Sequence, residues 1–194
     1  SPLPLDAEGW VDAGQRIFTG LFKKFVVADA LAWIALNEAF ARDAQSTGWL
    51  WTLLYAYSLR IYFDFSGYTD IAIGLGRLLG VRLPENFEKP YFKSNLTQFW
   101  NSWHITLTQW FRSYFFNPLT RAMRSTSKPV SLWVTILVSQ VATMVLIGLW
   151  HGVTVNFIVW GLWHGCGLFI QNRWSEFARA RFSARATSLS SQRL

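Results

Sequence analysis

Three histidines, His104, His151 and His164, are the residues of this chain whose chemistry best suits proton transfer. The ordinary pKa of an imidazole lies close to neutral pH, so a histidine can accept and return a proton there. All three lie in or beside apolar segments, where an ionisable side chain is costly and by default indicates a function. Structural alternatives stay open: His104 can face lipid headgroups, and His164 can pack between helices.

His151 and His164 occupy a short repeat, Gly-Leu-Trp-His-Gly, at residues 148–152 and 161–165. Small residues beside a histidine let another backbone approach and leave room for a substrate next to the ring. Glycines four residues apart are also typical of helix packing, which is the favoured interpretation of His164. On one helix the two histidines would point about 220° apart, so a haem held between them is disfavoured.

His104 lies within residues 94–116, where apolar residues recur at spacings of three and four. This period predicts an amphipathic helix that lies at the membrane interface or lines a cavity. In such a helix His104 shares the apolar side with Trp100 and Leu107. Burial there would lower the pKa of the imidazole and keep it neutral, as a base requires.

Other kinds of site find no support in the sequence. The chain has a single cysteine, Cys166, and no His-x-x-x-His pair, so neither a disulfide framework nor a metal site is predicted. The glycines of residues 74–80 miss the dinucleotide-binding spacing and favour helix packing. Asp70 is expected to pair with Arg77 along one helix, in a structural role.

The composition indicates a membrane protein. Of the 194 residues, 52% are apolar and only 15% are charged. So few charged residues cannot cover the surface of a soluble protein, and so many apolar residues are not typical of a disordered chain. The formal charge of +7 is concentrated at residues 121–128 and 173–193, not in a dense stripe, so nucleic-acid binding is not predicted. Residues 129–172 contain no charged side chain and are long enough for two bilayer crossings.

The apolar segments predict an all-α fold, a polytopic transmembrane helical bundle that includes the amphipathic or re-entrant helix of residues 94–116. The segments are residues 17–41, 49–63, 68–81, 130–150 and 153–171. Three parts are expected along the chain: a polar lead at 1–14, a membrane-embedded core at 15–172 and a basic solvated tail at 173–194.

The basic flanks predict the topology of the last two segments. If residues 121–128 and the chain from 173 onward are both cytoplasmic, the two segments cross outward and back. The turn at residues 150–152, which carries His151, then points away from the cytoplasm. A re-entrant hairpin would have the same flanks.

Several motifs follow one another in a recognisable order: Gly-Leu-Phe-Lys-Lys at 20–24, Ile-Tyr-Phe-Asp-Phe-Ser-Gly-Tyr-Thr-Asp-Ile-Ala-Ile-Gly at 61–74, Pro-Glu-Asn-Phe at 84–87, Phe-Trp-Asn-Ser-Trp-His-Ile-Thr-Leu at 99–107 and Gly-Leu-Trp-His-Gly at 148–152. Together they resemble the bacterial membrane-bound O-acyltransferase family. The alginate O-acetyltransferase type is the nearest branch, beside peptidoglycan O-acetyltransferases and teichoic-acid D-alanyltransferases. The resemblance covers roughly residues 15–172 and does not fix the acceptor.

The resemblance implies helices that surround a tunnel through the bilayer. Members are longer than this chain, which would then be a fragment without the N-terminal helices and inactive alone. The near-invariant histidine of the family matches His151, and its second characteristic position matches His104. His164 matches a histidine that is common in the alginate-type branch but not known to be catalytic. Relatives often carry arginines where this chain has Asn101 and Ser102.

The resemblance also implies a reaction. An acyl group, expected to be acetyl, passes from a cytoplasmic thioester donor, acetyl-coenzyme A or an acyl carrier protein, to a hydroxyl of a cell-envelope polysaccharide. His151 is the expected general base and His104 an accessory group nearer the donor. A bacterial inner membrane, no tightly bound cofactor and an extracytoplasmic acetyltransferase partner are expected. The alternatives are a proton-coupled transporter and a non-catalytic membrane scaffold.

Overall fold

The computed structural model describes residues 6–126, 128 and 130–191, with side chains up to residue 181. These residues form helices joined by short loops and contain no strand, so the all-α prediction is confirmed. The chain divides into two compact units, Ser1–Asn86 and Phe87–Leu194. The first five residues of the predicted lead and the last three of the predicted tail lie outside the described residues, and the three-part division stays a prediction.

The first unit is built on two long helical elements. Helix α1 (Ala7–Phe22) begins at Asp6, whose carboxylate accepts a hydrogen bond of 2.8 Å from the Gly9 amide and so caps the helix. It continues through a π-helical turn (Lys23–Ala28) into α2 (Asp29–Ala32), and α3 (Glu38–Arg42) follows.

Helix α4 (Thr47–Leu78) replaces two of the predicted segments with one continuous helix of 32 residues. Gly67 lies between the two predicted segments; it does not interrupt the helix but lets α1 approach it. A methyl group on Gly67 would lie 2.7 Å from the Gly20 carbonyl oxygen, and one on Gly20 would lie 2.6 Å from that of Gly67. The glycines are therefore there for close packing between the two helices.

Charges within the first unit pair between helices. Asp70, only 6% exposed, accepts hydrogen bonds from Arg16 Nε at 2.7 Å and Lys23 Nζ at 2.6 Å, both on the α1 side. Arg77 pairs instead with Asp12 at 3.2 Å. The expected Asp70–Arg77 pair within α4 is therefore wrong, because packing against α1 supplies a nearer partner to each.

The second unit begins with a short 3-10 turn (Pro90–Phe92), followed by α5 (Leu96–Trp100) and α6 (Ile105–Phe111). A second π-helical turn (Arg112–Phe116) continues α6 into α7 (Asn117–Arg124). The single amphipathic helix predicted for residues 94–116 is therefore wrong, since residues 101–104 separate α5 from α6.

Tertiary contacts of Trp103 explain this break. Its ring packs against Phe87, Tyr91 and Phe99, with ring centroids 5.1, 5.9 and 5.6 Å away. The Glu88 amide also donates a hydrogen bond of 3.0 Å to the Ser102 carbonyl, which would otherwise serve a continuous helix. Aromatic packing and this replacement hydrogen bond offset the loss of helical hydrogen bonds.

A helical hairpin completes the second unit. Helix α8 (Leu132–His151) and helix α9 (Val155–Ser191) confirm the two helices predicted from residue 130 onward, and α9 continues well past residue 171. Among the described residues, α8 is the one helix long and apolar enough to cross a membrane, with a mean hydropathy of 2.1. Its 20 residues span about 30 Å, the thickness of a bilayer core.

Removing the buried charge of Asp70 is expected to destabilise the protein. Asp70→Asn keeps the shape of the side chain but removes the carboxylate of Lys23 and one of the two carboxylates of Arg16, which keeps Glu85. The expected cost is about 2 kcal/mol, because both cations keep some contact with water. Unfolding of the full-length protein in detergent measures this change. Glu38→Gln, which removes the exposed pair with Arg42, is the control and should change little. Equal effects of the two variants would contradict the prediction.

Candidate active site

The three histidines of the second unit lie along one chain of contacting rings. His104 lies 6.0 Å from the Trp150 ring, and Trp150 lies 4.8 Å from His151, between ring centroids. His151 in turn lies 6.1 Å from Trp160, which lies 4.5 Å from His164. The two histidines proposed as catalytic, His104 and His151, therefore meet at the same tryptophan, although 46 other residues separate them along the chain.

His151 is the last residue of α8 and is exposed at the turn of the hairpin. Its ring stacks on Phe157 of α9 with centroids 5.9 Å apart. Gly152, which follows, has the same phenylalanine against it: a methyl group there would lie 2.8 Å from the Phe157 ring. The turn thus presents an accessible imidazole whose plane is set by aromatic neighbours.

His104 is half-buried at the point where α6 begins, not within a helix as expected. Its φ of 44° is in the left-handed region, which is uncommon for residues other than glycine and is often found at functional sites. It lies outside the membrane-crossing helix. Burial, together with the neighbouring His151, lowers the pKa of His104 to about 4, so the imidazole is neutral at neutral pH.

His164 lies on α9 and makes the contacts of a packed side chain. Its Nδ1 lies 2.9 Å from the Trp160 carbonyl oxygen. A carbonyl can only accept, so Nδ1 carries the proton. The ring also lies 5.3 Å from Trp100, edge to face. These contacts support the packing interpretation over a catalytic one.

The glycines of the two repeats bring the hairpin helices into backbone contact. A methyl group on Gly148 would lie 2.3 Å from the Phe157 carbonyl oxygen, and one on Gly161 would lie 2.6 Å from that of Met144. A methyl group on Gly165 would lie 2.7 Å from Cα of Val141. Only glycine permits this approach, and it fixes where the rings on α8 and α9 can meet.

A cavity of about 270 Å³ lies beside the histidine chain, between α5, α6 and the hairpin. Along α8 it is lined by Ile136, Gln140, Met144 and Ile147, which recur at intervals of three and four and so share one face. His151 occupies the next position on that face, one turn beyond Ile147. The cavity therefore follows the side of α8 that ends at the proposed base.

Two buried polar atoms belonging to residues that line this cavity have no hydrogen-bond partner in the described structure. They are the indole Nε1 of Trp100, a donor, and Oε1 of Gln140, an acceptor. Buried polar groups are nearly always satisfied, and a pair left open beside one cavity suits a ligand or water. Among the described residues, no group of three or more His, Cys, Asp or Glu side chains is placed to hold a metal ion.

Arg112 is the one charged residue among the described residues that line the cavity. It begins the second π-helical turn, and its Nη2 donates a hydrogen bond of 2.7 Å to Asn101 Oδ1. A guanidinium thus lies beside Asn101, although it belongs to a residue 11 positions further along the chain. The period of residues 94–116 could not reveal this, because it implied one straight helix with Arg112 on its polar side.

Comparison with known proteins decides the family. The sequence model of MBOAT, the membrane-bound O-acyltransferase family, matches residues 13–192. The chain belongs to the membrane-bound O-acyltransferase family. The family resemblance of the motifs is therefore confirmed.

Individual relatives agree with this assignment. The chain is 42% identical over 156 residues to the probable alginate O-acetylase AlgI of Pseudomonas fluorescens, covering 80% of this chain and 30% of the relative. It is 37% identical over 167 residues to the peptidoglycan O-acetyltransferase of Helicobacter pylori, covering 86% and 30%. It is 33% identical over 167 residues to the teichoic acid D-alanyltransferase of Streptococcus thermophilus, covering 84% and 40%. The chain thus spans less than half the length of these relatives.

In this member of the family, the sequence indicated the imidazoles as candidates but not their surroundings. The residues it missed are Arg112, Gln140 and Trp160 as neighbours of the site. The available signal was weak: Gln140 is one of a few polar residues, with Ser139 and Thr143, in the middle of an apolar helix. Polar side chains in such a helix indicate a protein-facing surface or a cavity.

The left-handed backbone of His104 predicts an unusual order of stability for two substitutions. His104→Gly is expected to be more stable than His104→Ala by about 1 kcal/mol, because glycine adopts a positive φ without strain. At Gln109, inside α6, the order should reverse, since glycine there costs about 1 kcal/mol relative to alanine. Thermal unfolding of the four variants in detergent checks this. Alanine more stable than glycine at both positions would contradict it.

Proposed function

We propose that this chain carries the catalytic histidines of an O-acyltransferase that moves an acyl group, acetyl by preference, from a cytoplasmic thioester donor to a hydroxyl of a cell-envelope polysaccharide. The observation that carries the proposal is the meeting of His104 and His151 at Trp150, in a chain of the membrane-bound O-acyltransferase family.

The proposed chemistry needs one base. A neutral His151 takes the proton of the acceptor hydroxyl while the hydroxyl oxygen bonds to the carbonyl carbon of the thioester. The carbon–sulfur bond then breaks, and the proton passes from the imidazolium to the sulfur, which leaves as a thiol. Atoms and charges balance, and His151 returns to its neutral form.

The surroundings of His151 suit this role. Phe157 and Trp160 pack on its ring and restrict its rotation, so that the imidazole is oriented before the substrate arrives. His151 is exposed at the turn, so an acceptor hydroxyl can reach the imidazole. His104, across Trp150, is the accessory group on the donor side of the site.

The membrane placement rests on α8 and on the apolar surface of α9. Trp163 is 78% exposed and Ile170 is 65% exposed, although both are apolar. Large apolar side chains exposed on a helix indicate contact with lipid. We therefore place α8 and the first part of α9 across a bacterial inner membrane, within a polytopic bundle, with the basic residues before α8 and after residue 172 in the cytoplasm.

The names of the relatives support the choice of acceptor as a class. One relative is called an alginate O-acetylase, another acts by name on peptidoglycan and a third on teichoic acid. The shared feature is a hydroxyl-bearing polymer of the cell envelope. We propose acetyl-coenzyme A or an acyl carrier protein as donor, no tightly bound cofactor, and an extracytoplasmic acetyltransferase as a partner protein.

His151→Ala in the full-length protein is expected to lower ester formation by at least about a hundredfold, because general-base catalysis contributes about 10²–10⁴. The measurement is the amount of ester-linked acyl group on envelope polysaccharide, at equal abundance of the protein in membranes. His164→Asn is the matched control from the same repeat, since an asparagine amide can still donate to the Trp160 carbonyl. It should retain most activity.

Unchanged ester in His151→Ala would remove this residue from the chemistry. Proton-driven uptake of a solute without any ester product would favour the transporter. Activity that survives loss of both His104 and His151 would favour the scaffold.

His104→Gly separates the imidazole from the backbone it occupies. This variant keeps the left-handed turn without strain, so any loss of activity reports the missing ring. We expect ester formation to fall by roughly tenfold, less than in His151→Ala, as befits an accessory group. Full activity in His104→Gly, with membrane abundance unchanged, would show that His104 is only structural.

A further inference from the structure

Among the described residues, no carboxylate balances the charge of Arg112. Within that part of the chain it forms no ion pair, and its Nη2 is bonded to the neutral oxygen of Asn101. In the first unit, by contrast, Arg16 and Arg77 both have acidic partners. A guanidinium has five N–H donors, so most of those of Arg112 remain available for another acceptor.

An uncompensated guanidinium beside a largely apolar cavity favours an anion. The planar fork of arginine matches the oxygens of a phosphate or a carboxylate, and the hydrogen bonds formed are stronger than those between neutral groups. Asn101 holds the fork by one nitrogen and so limits the positions it can take. This hydrogen bond preorganises one end of a guanidinium that is otherwise exposed and open to a ligand.

The unpartnered Nε1 of Trp100 and Oε1 of Gln140 add a second requirement for a ligand of this cavity. One is a donor and the other an acceptor, and both residues line the same cavity as Arg112. A secondary amide offers one group of each kind. The cavity therefore suits an extended ligand that carries an anionic group together with amide groups.

The direction in which the cavity runs along α8 indicates which of the two substrates this ligand is. Its lining on α8 runs from Ile136, near the basic end of the helix, to Ile147, one turn before His151. In the topology proposed above, the basic end is cytoplasmic, so the cavity is the approach from the donor side. A thioester donor with a phosphate and amides on its arm fits these requirements.

We propose that Arg112 is the donor-recognition residue of this enzyme and binds the phosphate on the arm of the acyl thioester, with Asn101 as the residue that positions it. Coenzyme A and acyl carrier proteins share this phosphate, so the assignment holds for either source. The inference rests on the proposed function and extends it to a specific residue and a specific group of the substrate.

The test compares two donors that differ only in the phosphate, S-acetyl-4′-phosphopantetheine and S-acetylpantetheine, with the full-length protein in membranes. With wild-type protein, kcat/KM should be at least about tenfold higher for the phosphorylated donor. Arg112→Gln should lower kcat/KM about tenfold for that donor, mainly through KM, and leave the unphosphorylated donor nearly unchanged. Arg112→Lys should recover part of the loss.

Arg124→Gln on α7 is the matched control, because it removes an exposed charge that does not line the cavity. It should keep the wild-type preference between the two donors. Equal losses with both donors in Arg112→Gln, no loss at all, or a KM increase for the acceptor polymer alone would each overturn the assignment.

The proposed function fails separately from this inference. If wild-type protein forms no ester from acetyl-coenzyme A, an acyl carrier protein or either short donor, O-acyl transfer itself is wrong and the inference falls with it. If wild-type protein forms ester and shows no preference for the phosphate, only the role of Arg112 is wrong.

Discussion

The site depends on the backbone contact between α8 and α9. Gly148, Gly161 and Gly165 let the two helices approach so closely that any larger residue would meet main-chain atoms. Because of this approach, Trp160 of α9 reaches both His151 and His164, and the ring chain is continuous. The repeated glycines therefore determine the position of the imidazoles, and packing and chemistry are two consequences of the same motif.

The interruption between α5 and α6 provides the second half of the site. A continuous helix would carry His104 along its axis, whereas the left-handed turn redirects the chain at that residue and places the ring beside Trp150. The aromatic cluster around Trp103 and the hydrogen bond from Glu88 to Ser102 hold the turn in place. Local backbone strain is thus offset by contacts outside the helix, a balance that is common where a side chain must be aimed precisely.

The sequence predicted the features that arise from local patterns and missed those that arise from tertiary contacts. The hairpin of α8 and α9 and the three histidines follow from apolar length and residue type. Residues 49–63 and 68–81 were predicted as two segments but are joined by one helix, and the role of Gly67 in admitting α1 depends on a contact with Gly20 that no local pattern reveals. The partners of Asp70 lay 47 and 54 residues away, and no helical spacing could indicate them.

The charge of Arg112 is the feature of the second unit that favours binding of an anion. Burying a charge without a partner costs several kcal/mol, so a fold normally pairs its buried charges, as the first unit does with the buried carboxylate of Asp70. Arg112 avoids that cost by staying partly exposed at the cavity wall, with a neutral amide as its only described hydrogen-bond partner. A carboxylate at that point would stabilise the folded protein but would compete with any anion that enters. The absence of one among the described neighbours of Arg112 therefore favours binding over stability, and it accords with a site whose occupant brings its own negative charge.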